Sequence, residues 1–118
     1  MLNQQSNSEQ FIYAMSVPIF GVPELVHKTL SDIISYTFSN SSNIYTLNLN
    51  DQYSMMVSLN SFFSYDTSNH FATSFYRLYT NNYSKIIHGP VIIFLKEDPS
   101  LIPYLLLEEL NSLIKNYK

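Results

Sequence analysis

Along "FIYAMSV", Phe11, Tyr13, Met15 and Val17 fall at every second position, on one face of an extended chain. A period of two predicts a strand. Pro18, Gly21 and Pro23 then break the pattern. Beyond them Val22, Leu25, Val26, Leu30, Ile33, Ile34 and Phe38 recur at three- and four-residue spacing, which predicts an amphipathic helix over about 23–38. Pro23 suits its first position, where the missing N–H costs nothing. "SNSSN" stops it.

Clean alternation returns with Tyr45, Leu47 and Leu49, and again with Tyr53, Met55, Val57 and Leu59. Read as a hairpin, these two sets fix the loop length. A two-residue turn opposes Leu49 to Gln52 and sends the apolar sets to opposite faces. A three-residue loop of Asn50, Asp51 and Gln52 pairs Leu49 with Tyr53 and puts both sets on the core side. The three-residue loop is therefore expected, with Asn50 or Asp51 left-handed. Phe71, Phe75, Leu78 and Tyr79 follow at helical spacing, with Thr67, Ser68 or Asn69 as N-cap and "TNN" as the stop.

"VIIFL", Val91 to Leu95, is apolar at every position, so both its faces are covered and it is a central strand. "KEDPS" turns the chain, with Asp98 or Ser100 as cap, into a last helix over about 100–116. That helix carries Leu101, Ile102, Leu105, Leu106, Leu110, Leu113 and Ile114, an apolar arc wider than one sheet face needs. The order β-α-β-β-α-β-α predicts a small α+β fold with a mixed or antiparallel sheet of about four strands and about three helices. One domain spans 11–118, and the polar residues 1–10 form a flexible tail.

Composition narrows the chemistry. The 118 residues include no cysteine, which excludes disulfides, thiolate metal sites and thiol catalysis. Nine acids face six bases, and the bases are scattered, without the stripe that a phosphate backbone requires. No nucleic-acid partner is expected. No apolar run approaches the roughly 20 residues of a membrane span, and no secretory leader is visible, so a soluble intracellular protein without a membrane partner is expected. Phe, Tyr, Met, Ile, Asn and Lys supply 50 residues while Gly, Ala, Arg and Pro supply 10. The first group has A/T-rich codons, so the gene belongs to an AT-rich genome, and the tyrosines need no stacking role.

Reactive constellations are missing from the sequence. Gly21 and Gly89 are its two glycines, so no phosphate-cradling loop exists, and Glu97 and Asp98 stand where such a loop would need glycine. "ELVH" spaces Glu24 and His27 one turn apart, without the second Glu-x-x-His of a di-metal site. No cofactor is expected. His88, at the mouth of the buried strand before Gly89-Pro90, is either a group tuned by burial or one bonded to a loop carbonyl. Together with Asp66 and His70 it defines one candidate small-molecule or regulatory site. Arg77, beside Tyr76, Tyr79 and Tyr83, is either a stacked anchor for a partner or an aliphatic stem laid over the core.

The segments "FATSFYRLY" and "IIHGPVIIF" together resemble a stretch of small uncharacterised α/β proteins from large DNA viruses of protists and algae. The resemblance covers Phe71 to Phe94. It implies a fold and a source, host cytoplasm or virion, but no catalytic residues. The expectation is a non-enzymatic interaction or accessory domain that binds a protein partner or a second copy of itself. Its candidate contact residues are Tyr76, Arg77, His88, Leu106 and Leu110.

Overall fold

The computed structural model describes residues 10–38, 43–59 and 67–116. The sheet is built around the uniformly apolar strand. β5 (Val91–Leu95) lies at the centre, flanked by β1 (Phe11–Val17) and β4 (Tyr53–Ser58), with β2 (Glu24–Thr29) and β3 (Ile44–Asn48) at the edges. The order is β2-β1-β5-β4-β3 and every pairing is antiparallel. Three helices complete the described fold: α1 (Leu30–Phe38), α2 (His70–Thr80) and α3 (Tyr104–Asn116).

The register stacks apolar side chains in rungs. Met15, Ile93 and Met55 align across the three inner strands, and Val17, Val91 and Val57 form the next rung on the same face. These residues are fully buried beneath Ala72 and Phe75 of α2 and Leu106 and Leu110 of α3. The opposite face packs Ile12, Ala14 and Ile92 against Ile33 and Phe38 of α1. Because β5 is clad on both sides, it can be apolar at every position.

The predicted helix over 23–38 is corrected: its first part is β2 and only Leu30–Phe38 is helical. Leu25 and Val26, which helical spacing puts on one face, instead point to opposite faces of the sheet, opposite Met15 and Ala14 of β1. Cross-strand pairing with β1 overrides a pattern that fits both periods. Thr29 marks the real helix start, its Oγ1 accepting from Asp32 N at 3.3 Å. The sheet thus has five strands where about four were expected.

The 50–52 loop has the expected length, with Leu49 N donating to Tyr53 O at 3.1 Å and Leu47 opposite Met55. Its predicted left-handed residue is absent: among the described non-glycine residues only Asn81 has positive φ. Asn50 turns the chain through its side chain instead, Oδ1 accepting from Gln52 N at 2.7 Å and Tyr53 N at 2.8 Å. The last helix starts at Tyr104 rather than near 100. Asp98 caps a tight turn ahead of it, accepting from Ser100 N at 3.1 Å. The expected tail over 1–10 lies outside the described residues except for Gln10.

Asn69 locks these layers together. Its Oδ1 caps α2 by accepting from Ala72 N at 3.0 Å. Its Nδ2 donates to Val17 O at 3.0 Å and to Gly89 O at 2.8 Å, joining the end of β1 to the approach of β5. Thr73 fastens the same approach, its Oγ1 accepting from Ile87 N at 3.0 Å. Gly89 turns there with φ of 79°, a left-handed conformation that glycine adopts without a Cβ penalty.

Candidate functional site

The apolar arc of the last helix divides. Leu106 and Leu110 are 0% and 6% exposed and belong to the core, so they are not available to a partner. Leu107, Leu113 and Ile114 are half-buried against it. Leu101, Tyr104 and Leu105 are 56%, 69% and 54% exposed. Neighbouring helical positions differ by about 100°, so the run from Leu105 to Leu107 cannot face one core.

Backbone anchoring sets this surface in place. Tyr13 N donates to Pro99 O at 2.8 Å, which lays the chain after β5 along β1. Leu101 and Ile102 then stand beside the Tyr13 ring. Tyr13, Ser100, Leu101, Ile102 and Tyr104 line a shallow groove of about 400 Å³. The apolar surface continues across the sheet, with His27 lying 4.0 Å from Tyr13 and 5.5 Å from Phe11 between ring centroids. Phe11 and Tyr13 share a sheet face with Met15 and Val17, yet Phe11 is 53% exposed and lies outside the core cluster. On the other side of Leu101 a second depression is lined by Asp51, Gln52, Leu95, Glu97 and Asp98. The groove therefore has an acidic flank.

Tyr76, Arg77 and His88 form no common outward surface. Tyr76 is buried in the core. Arg77 is half-buried, with its guanidinium 5.8 Å from the Tyr83 ring, and Lys85 Nζ lies 5.8 Å from the Tyr76 ring. These two cation–π contacts clasp the loop after α2 onto the helix. His88 is half-buried and opposes Ser68 in an isolated antiparallel bridge.

Of the candidate site of His70, His88 and Asp66, the described residues hold the two histidines, and His88 pairs with Ser68 beside His70. His70 lines a polar depression with Ser68, Thr73, Ser74, Arg77 and Ile86, and His88 is not part of that lining. Asp66 lies outside the described residues. Among those residues no group of three His, Asp or Glu could hold a metal ion, and no helix is long and apolar enough to cross a membrane. The perturbed phenols are structural. Burial raises the pKa of Tyr79, with Tyr53 and Glu109 adding to it. Burial also raises Tyr53, partly offset by its hydrogen bond to the Leu106 backbone.

Phe11, Leu101, Tyr104 and Leu105 were missed as surface because periodicity assigns apolar residues to a face without saying whether that face is covered. Pro103, which disfavours helical dihedrals at Ile102 and so sets the helix start at Tyr104, was the readable signal. No family model matches the chain, and no curated protein or solved structure matches it either.

Proposed function

We propose that this chain is a non-enzymatic interaction domain that docks a protein segment along the groove between Tyr13 and Tyr104. The observation that carries this reading is the run of apolar side chains from exposed Phe11 through half-buried Tyr13 to exposed Leu101 and Tyr104. Contiguous apolar surface of this kind marks partner sites, with aromatic residues as the usual anchors. The acidic flank of Asp51, Glu97 and Asp98 selects a partner segment that carries basic residues beside its apolar ones.

Panning a random peptide library on the purified protein tests this, with counter-selection on the Leu101→Asp, Tyr104→Asp double variant. Peptides combining apolar and basic residues should be enriched, lose binding to the double variant, and weaken as salt rises. Both substituted side chains are exposed, so the variant should keep the wild-type melting curve. Enriched peptides that bind the double variant equally well would sink the proposal.

A further inference from the structure

The two edges of the sheet are unequally guarded. β2 carries Glu24, His27 and Lys28 within six residues, and charged side chains on an edge discourage strand addition. β3 reads Ile-Tyr-Thr-Leu-Asn, with no charge, no proline and no glycine, and no described strand lies beyond it. Its composition favours extended pairing.

The phase of the backbone is known. Asn43 O accepts from Leu59 N at 2.9 Å and Leu49 N donates to Tyr53 O at 3.1 Å. In an antiparallel ladder such pairs alternate, so the odd-numbered residues of β3 bond to β4. The N–H and C=O groups of Ile44, Thr46 and Asn48 point away from the sheet.

We infer that β3 is a homodimerisation edge, pairing antiparallel with β3 of a second copy about a two-fold axis at Thr46. That axis sets Thr46 opposite the second copy's Thr46 and Ile44 opposite its Asn48. Every outward-pointing residue meets another, and each such pair exchanges two N–H···O=C bonds. Shifting by one residue opposes outward to inward groups, and shifting the axis to Tyr45 or Leu47 leaves one outward residue unmatched. The side chains agree with this register. Tyr45, 51% exposed, falls opposite Leu47 of the second copy, and threonine meets threonine on the other face. No like charges are opposed, and the two five-stranded sheets become one continuous sheet. A foreign strand would satisfy the same backbone groups. An edge without charge has nothing to select one, whereas the two-fold uses every outward group of this edge.

The contact is far smaller than the standard interface of roughly 1,600 Å². Association is therefore weak and concentration-dependent, and it does not depend on the groove. Sedimentation velocity from low micromolar to millimolar protein, with amide exchange followed by NMR, tests it. The wild type should pass from monomer to dimer, and protection of the Ile44, Thr46 and Asn48 amides should rise with concentration. Thr46→Pro should abolish the dimer: it removes one outward N–H from each copy but none that bonds to β4, and edge strands tolerate proline there. Thr46→Lys, which opposes two cations at the axis, should weaken association several-fold. Tyr104→Asp should leave it unchanged. Three results would overturn the inference: a wild-type monomer throughout, a dimer that survives both Thr46 variants, or edge amides protected equally at every concentration, as when another part of the same chain occupies the edge. Should the variants fail to fold, the concentration dependence of the wild-type amides still decides.

Discussion

Replacing Asn69 by alanine should destabilise the protein by about 4 kcal/mol, a large share of the roughly 5–15 kcal/mol that holds a domain of this kind together. The magnitude follows from what the side chain leaves behind. Loss of the helix cap costs about 1 kcal/mol. Loss of Nδ2 strands the Gly89 carbonyl oxygen and takes one of two bonds from that of Val17, which keeps its ladder pairing with Val91, where water cannot reach: Asn69, Val17 and Ala72 are all 0% exposed, and Gly89 is buried. An orphaned buried acceptor costs about 1–3 kcal/mol.

Asn69→Ser separates the two roles. Serine keeps the acceptor for Ala72 N but is too short to donate to both carbonyls. If the two donated bonds dominate, the serine variant loses more than half of what alanine loses. Urea unfolding followed by circular dichroism measures both. With an m-value of about 2 kcal/mol per molar, the alanine variant should unfold about 2 M earlier. A serine variant within about 0.5 kcal/mol of wild type would refute the reasoning and reduce Asn69 to an ordinary cap.

The division of the last helix predicts opposite outcomes at neighbouring positions. Leu106→Ala should cost about 2–5 kcal/mol and Leu105→Ala about 0.5 kcal/mol or less, read from the same urea curves; equal losses would contradict the packing. Tyr79 makes a further case, since its hydroxyl oxygen is buried with no protein partner among the described residues. Tyr79→Phe should be neutral or stabilise by up to about 1 kcal/mol. Its raised pKa also sets a pH dependence: stability from the neutral phenol is complete below the ordinary value of 10.0 and drains away as pH rises through the folded-state value. Melting temperature should therefore fall above about pH 10, and less steeply in the phenylalanine variant, with Tyr53 supplying the remainder.

The elements legible in the sequence are those whose pattern admits one reading. The hairpin loop followed from the two alternating sets, because only a three-residue loop brings Leu49 opposite Tyr53. The central strand followed from a run with no polar face. β2 was illegible because Leu25 and Val26 satisfy a helix as well as a strand, and the deciding fact is the backbone of β1 across from them. Thr29 with Asp32 three residues later was a helix-start signal that outweighed Pro23, and the structure caps α1 there. Chemistry followed the same division. The lack of a phosphate loop is read from the glycine count. Whether His88 and His70 share a site depends on how the loop after α2 folds back.

The candidate surface depends on coverage, which no strand encodes by itself. Phe11 and Tyr13 repeat the apolar pattern of Met15 and Val17 on the same face of β1, yet only the latter two are sealed. The difference arises where the chain leaves β5. Pro99 is drawn onto β1 by the Tyr13 amide, and Pro103, whose carbonyl accepts from Leu107 N at 3.1 Å, holds the helix start to Tyr104. A helix beginning earlier would have turned Leu101 and Ile102 into its first turn and carried an apolar layer toward Tyr13. Instead the segment runs alongside β1 in irregular form, and Leu101 and Tyr104 stand exposed. Pro103, which disfavours helical dihedrals at Ile102, thus keeps the preceding residues out of the helix, and the sheet face beside Phe11 and Tyr13 stays only partly covered.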